Sequence, residues 1–230
     1  MTDASTASGP LHLALFDLDH TLLDGDSNTL WLDYLIDRGH LPAGTREAQA
    51  AYMERYVAGE LDIRDYLGFH LRLLAGRTLP EWLPIRADFV ATAILPCISA
   101  AARAAVARHR AAGHRAVVVT ATHEFLSAPI AGLFDLPVIA PRGEVVAERF
   151  SGEIAGVICF REHKLTCLER WLGEQGLSAH CLGERHFYSD SANDLPLLEA
   201  VSHPVIVNAD PALQRIARER GWPLATWRAP

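Results

Sequence analysis

The sequence predicts an α/β protein: a Rossmann-like parallel sheet with helices on both faces, carrying an inserted helical-bundle cap. Three observations lead there. Apolar runs with the length of buried strands alternate with helical patterns at the start of the chain and again after residue 96. The stretch between them contains helical patterns and no clear strand. Polar clusters follow the apolar runs directly, at the strand ends where open α/β sheets bind ligands.

The expected strands are 11–16, 116–120, 186–189 and 204–207. All are short and rich in apolar residues, as strands buried on both faces must be. The expected core helices are 98–112, 164–172 and 211–220, closed by Gly113, Gly173 and Gly221. Asp210-Pro211 is a good helix start, with Asp as N-cap and Pro at the first helical position. Residues 25–95 are expected to form the cap, from helices 27–38, 45–58, 63–75 and 80–93, with Ser27 and Thr45 as N-caps. Residues 1–24 and 96–230 then form the α/β core domain. Trp31, Tyr34, Phe69 and Trp82 fall at helical spacings and are assigned to the bundle's interior. Residues 138–154 alternate apolar and polar around two Gly positions and read as a β-hairpin of unassigned role.

The bulk properties narrow the function. The 230 residues are half hydrophobic, enough for a sizeable core, and carry a formal net charge of -7. That balance argues against nucleic acid or an acidic membrane as partner. Residues 1–10 lack the basic start and apolar stretch of a signal peptide and are expected to be disordered. No apolar run approaches the roughly 18 residues a spanning helix needs. Cys97, Cys159, Cys167 and Cys181 have neither zinc-site nor disulfide-framework spacing and read as reduced, mostly buried thiols. These features point to a cytoplasmic protein.

Asp17 and Asp19 follow the first strand, and Thr21 follows them. Side chains two apart on an extended segment share a side. Paired carboxylates there repel unless a cation lies between them. Asp190 and Asp194 form a matching pair after a later strand, so a hard divalent cation with oxygen ligands, Mg²⁺, is the economical expectation. A carboxylate can also attack phosphorus and form an acyl phosphate. Lys164 can offset charge on the transferring oxygens, and Thr21 and Thr120 can donate hydroxyls to them.

In chain order, four motifs, first Asp17, Asp19 and Thr21, second Thr120, third Lys164 and last Asp190 and Asp194, resemble the haloacid dehalogenase superfamily of phosphohydrolases, in the branch whose helical cap follows the first motif and which includes phosphoserine phosphatases. The resemblance covers nearly the whole chain. It implies that Asp17 is the nucleophile and becomes phosphorylated. It implies that Asp19 protonates the leaving oxygen and then deprotonates the attacking water. Thr120 and Ala121 would hold the phosphate together with Thr21 and Lys164. Mg²⁺ would be held by the Asp17 carboxylate, the Asp19 backbone carbonyl and Asp190, with Asp194 behind them holding a metal-bound water or Lys164.

The chain departs from that pattern at several points. Ser189 stands at a Gly position of the last motif. Ala121-Thr122 replaces the Gly pair after the second motif. Asp26 and His70 occupy the positions of a substrate-reading Glu and Arg, and losing the Arg removes a bidentate carboxylate clamp. Asp26 and His70 are therefore the candidate specificity residues. His20 and His123, beside motif residues, are assigned to packing. The expectation is an Mg²⁺-dependent phosphatase of a small phosphorylated metabolite, an amino-alcohol phosphate such as histidinol phosphate. Two alternatives stay open: a phosphotransferase or mutase with the same intermediate, and a non-catalytic binding protein on the same fold. Oligomeric state is not legible in the sequence.

Overall fold

In a computed structural model describing residues 10–177 and 181–229, the strands form a six-stranded sheet in the order β3-β2-β1-β6-β7-β8, parallel at every pairing. The segment 1–9, part of the run expected to be disordered, lies outside the described residues. The strands are β1 (Leu11–Phe16), β2 (Arg115–Val119), β3 (Val138–Ile139), β6 (Leu182–Ser189), β7 (His203–Val207) and β8 (Leu224–Ala225). Between β3 and β6 lies a separate antiparallel hairpin of β4 (Arg142–Val146) and β5 (Arg149–Ala155).

Side-chain alternation along the strands divides the core in two. Ala14, Phe16 and Val118 face one layer, which includes Ala102 and Ala105 of α5 (Ala100–Ala111) and Leu126 and Ile130 of α6 (Glu124–Gly132). Leu13, Leu15, Val117 and Val119 face the other. There they meet Leu168 of α7 (His163–Glu174), Leu197 of α8 (Leu195–Ala200) and Leu213 of α9 (Pro211–Arg220). Burial on both faces explains why these strands read as continuous apolar runs.

Residues 27–97 are helical: α1 (Ser27–Asp37), α2 (Thr45–Ala58), α3 (Ile63–Leu74) and α4 (Leu79–Phe89), the last continuing through a wide π-type turn, Val90–Ile94, and a tight turn, Leu95–Cys97. Trp31 is buried at ring-centroid distances of 4.9 Å from Phe89 and 5.9 Å from Trp82, and Trp82 Nε1 donates to the Leu74 carbonyl at 2.7 Å. Tyr34 stacks on Trp31, whereas Phe69 is only partly buried and packs on Tyr52. The hairpin packs against α3: a Cβ on Gly143 would lie 2.6 Å from Leu71 Cδ2, so only glycine permits that approach.

Several local expectations are corrected. Asp26, not Ser27, caps α1, its carboxylate accepting from the Thr29 N–H at 2.7 Å. Gly44, not Thr45, precedes α2, with no side-chain cap bond. Val138–Ile139 joins the main sheet, so the hairpin begins at Arg142. Of the cysteines, Cys159 alone is fully buried; Cys97 and Cys167 are partly buried and Cys181 is exposed. Helix α6 carries Pro129 in its interior, which hides it from a sequence reading. The carbonyl that Pro129 leaves without its helical donor, that of Phe125, accepts from Arg86 Nη1 at 2.9 Å. No single described helix is long and apolar enough to cross a membrane.

Candidate active site

The parallel register aligns Phe16 with Val118 and with Tyr188, so the residues that follow emerge together at the C-terminal edge of the sheet. The ladder continues one step further: Asp17 N–H donates to the Tyr188 carbonyl at 2.9 Å and Thr120 N–H to the Ile139 carbonyl at 3.0 Å. Beyond Asp17 the chain turns back through His20, whose φ of 55° lies in the left-handed region. This brings Thr21 Oγ1 to 3.4 Å from Asp190 Oδ1.

Lys164, in the first turn of α7, is buried at the centre of the cluster. Its Nζ donates to Asp17 Oδ1 at 3.0 Å and to Asp194 at 2.8 Å. Burial opposes the charge on Lys164, but the carboxylates of Asp17 and Asp194 override it and hold the pKa above the ordinary lysine value. Asp194 also accepts from Ser189 Oγ at 2.7 Å, so the hydroxyl at the sequence's Gly position is engaged inside the cluster. Burial pushes the Asp194 carboxyl up to about 6 despite Lys164. Asp190 is raised well above the usual carboxylate range, by burial first and then by Asp17 and Asp194. Three carboxylates thus crowd one ammonium, a surplus of negative oxygen donors that fits a hard divalent cation. Asp17 and Asp190 are the side chains placed to hold one; Asp194, which already accepts from Lys164 and Ser189, stands behind them.

Asp19 points its oxygens elsewhere. Oδ1 accepts from the Ser27 N–H at 2.7 Å and Oδ2 from Thr122 Oγ1 at 2.6 Å. Burial, reinforced by Asp26, pushes its carboxyl up to about 7. Thr122 Oγ1 in turn accepts from Asn28 Nδ2 at 3.1 Å and meets Ser27 Oγ at 3.3 Å, while the Thr122 N–H donates to Thr120 Oγ1 at 3.1 Å. The sequence reading did not single out Thr122, Ser27 or Asn28 as functional. Their signal was weak: one hydroxyl three residues past a strand, and two polar residues opening a helix. We expect Thr122→Val to reduce kcat by about 10–100-fold at little cost in KM, because Asp19 loses one of the two donors that orient it. Steady-state kinetics beside far-UV circular dichroism check this.

A cavity of about 520 Å³ opens above these groups. Asp17, Asp19, Thr120, Ala121, Lys164 and Asp190 lie at its polar end, and Asp194 and Asp26 also line it. The helical segment contributes Leu30, Met53, Tyr56, Leu61 and Tyr66. Tyr56 Oη lies 3.1 Å from Ser191 Oγ, tying α2 to the loop after β6. His70 does not line the cavity: it is buried, with Nε2 3.1 Å from Gln49 Oε1. His20 is exposed and lines the cavity.

His123 is buried, neither ring nitrogen has a hydrogen-bond partner, and burial lowers its pKa to about 4. Between that value and about 6.5 the unfolded chain binds a proton that the folded chain refuses, so stability falls as pH falls through this window. We expect His123→Phe to remove about 2 kcal/mol of the loss seen between pH 7 and pH 5. Urea midpoints for both proteins at both pH values measure it.

Comparison with known proteins follows the same lines. Residues 14–199 match the haloacid dehalogenase-like hydrolase family. A histidinol-phosphatase of Neisseria meningitidis serogroup C (strain 8013) is 40% identical over 220 residues, covering 94% of this chain and 99% of the relative. A solved structure from Bordetella pertussis Tohama I, described as a protein of unknown function, superposes with a TM-score of 0.89 at 41% identity, covering 94% of this chain and 98% of that one. A substrate-bound phosphoserine phosphatase shares the fold, with a TM-score of 0.67 at 16% identity over 96% of this chain and 94% of that one. The chain belongs to the haloacid dehalogenase-like hydrolase family, as one of its phosphatases.

Proposed function

We propose that this phosphatase hydrolyses a small amino-alcohol phosphate, histidinol phosphate being the best candidate, through an aspartyl-phosphate on Asp17 and with Mg²⁺. The observation that carries the reading is the placement of Asp17, held by Lys164, beside an Asp19 held apart by Ser27 and Thr122. An Asp17 carboxylate oxygen forms the bond to phosphorus as the ester P–O bond breaks, and Asp19 gives its proton to the departing alkoxide. Asp19, now ionised, takes a proton from water, whose oxygen attacks phosphorus; inorganic phosphate leaves and Asp17 is regenerated. Lys164 keeps one Asp17 oxygen fixed throughout, Thr120 and Ala121, which line the cavity, would donate to phosphoryl oxygens, and Thr21, whose hydroxyl donates to Asp190, would steady that carboxylate. Bound Mg²⁺ would offset charge on the phosphoryl group, held by Asp17, the Asp19 carbonyl and Asp190, with Asp194 behind.

In this reading residues 1–24 and 96–230 are the catalytic core and 25–95 a cap that shields the reaction from water. The lining supports the substrate class. Asp26 offers a carboxylate to an amine, and Tyr56, Tyr66, Met53 and Leu61 offer an apolar, aromatic wall to a ring. No arginine lines the cavity among the described residues, and Lys164 is taken up by Asp17 and Asp194, so a substrate carboxylate such as phosphoserine's finds no clamp. His70 acts indirectly, by fixing Gln49. The near-identical length of the histidinol-phosphatase relative and this chain supports the same reading.

The test is phosphate release from histidinol phosphate and phosphoserine, with Mg²⁺ or EDTA. Release should stop in EDTA, return with Mg²⁺, and favour histidinol phosphate by about 100-fold in kcat/KM, the equivalent of one lost charge-paired contact. Asp26→Asn, which keeps the helix cap, should raise KM about 10-fold or more. No release from either compound, or equal use of both, would overturn the reading of the substrate.

A further inference from the structure

Among the described residues, five histidines converge far from the carboxylate cluster. His12 lies on β1, His109 in the last turn of α5, His114 just before β2, His186 on β6 and His203 at the start of β7. Neighbouring rings lie close: 5.2 Å for His12 and His114, 5.4 Å for His114 and His186, 4.7 Å for His109 and His186, and 4.4 Å for His186 and His203. His12, His114 and His203 stand where parallel strands begin, whereas Asp17, Thr120 and Asp190 stand where they end. The cluster therefore occupies the opposite edge of the sheet.

Its donor atoms fall into overlapping sets of three. One ring nitrogen from each of His109, His114 and His186 lies within 4.8 Å of the others, and the same spacing holds for His12, His114 and Glu184 and for Glu184, His186 and His203. His109 Nδ1 and His114 Nδ1 face each other at 2.9 Å, an approach that two lone pairs tolerate only with a proton or a cation between them. His109 Nε2 meets Tyr188 Oη at 2.8 Å, so its outer nitrogen is held by a partner while Nδ1 turns to the cluster, the arrangement that orients metal-ligating imidazoles. His186 Nε2 is buried, 3.5 Å from Glu184 Oε2.

The geometry points to a second metal site, for a borderline first-row divalent ion such as Zn²⁺, built on His109, His114 and His186. Imidazole-rich donor sets select Zn²⁺, Co²⁺, Ni²⁺ or Cu²⁺, while Mg²⁺ prefers the all-oxygen set at the other edge. The two sites would thus take different metals in one molecule. Glu184 stands beside this trio, grouped within 4.8 Å with His114 in one set and with His186 in another. His12 and His203, sharing Glu184 with this set, are placed to replace a ligand or to shield the ion.

The test uses the full chain, stripped of metal, titrated with Zn²⁺ against a competing chelator in excess Mg²⁺, with Co²⁺ absorption as a report on coordination. One tightly held Zn²⁺ should survive the Mg²⁺ excess, and Co²⁺ should give visible bands of histidine ligation. His114→Ala, at a partly exposed turn, should weaken Zn²⁺ about 10-fold or more and abolish the Co²⁺ bands, with the circular dichroism spectrum and phosphate release unchanged. His186→Ala should do the same to Zn²⁺, and if it fails to fold His114→Ala decides alone. Asp190→Asn should leave Zn²⁺ binding intact. Zn²⁺ binding unchanged in His114→Ala, lost in Asp190→Asn, or abolished by Mg²⁺ would overturn the site.

Discussion

Asp17→Asn is expected to abolish phosphate release, with kcat lower by about 10⁴-fold or more, while the protein stays folded. The amide keeps the shape of the carboxylate but is a poor nucleophile, and removal of the attacking group is among the costliest changes an enzyme can undergo. The loss should appear in kcat with KM nearly unchanged, because the cavity wall and Asp26 remain. Inorganic phosphate release and a quenched-flow search for acid-stable phosphoprotein measure the two aspects. Wild type should show phosphoprotein labelling and the variant none. Labelling that persists in the variant would move the nucleophile elsewhere.

Lys164→Met is expected to cost both activity and stability. The ammonium holds Asp17 at 3.0 Å and Asp194 at 2.8 Å in a buried setting, with Asp190 nearby. Methionine fills a similar volume and leaves those carboxylates unmatched. Removing one partner of a buried charge set costs about 3–5 kcal/mol. Part of that will be recovered as Asp190 and Asp194, already raised, take up protons. About 2–3 kcal/mol of net loss is expected in EDTA, a drop in Tm of about 5–10 °C for a chain of this length. Mg²⁺ should narrow the gap, since it neutralises the same carboxylates. Thermal unfolding with and without Mg²⁺ is the measurement. An unchanged Tm in EDTA would mean that the cluster is balanced without Lys164.

Much of the fold was legible. The apolar runs at 11–16 and 116–120 are buried on both faces, which demands uninterrupted hydrophobic side chains and leaves a clear trace. The tryptophans of the helical segment pack together because their spacing puts them on inward faces. Where legibility failed, a local rule was overridden by a distant group. Pro129 argues against a helix until Arg86 arrives from α4 to take the freed Phe125 carbonyl. Asp26 rather than Ser27 caps α1, its backbone extended and its carboxylate accepting from the Thr29 N–H, while the free Ser27 N–H goes to Asp19.

The same division runs through the site. Sequence by itself determined which acids and hydroxyls follow the strands and which lysine opens a helix, because burial restricts charged residues to strand ends and period-two geometry sets their spacing. It also determined that a helical segment follows the first acidic turn. Only the tertiary structure decided which groups meet. Lys164 lies 147 positions from Asp17, Thr122 lies 103 from Asp19, and the five histidines come from four separate elements and the turn before β2. Contacts at such separation depend on strand register and on which helix packs on which face. These are properties of the whole core that no local pattern of residues encodes.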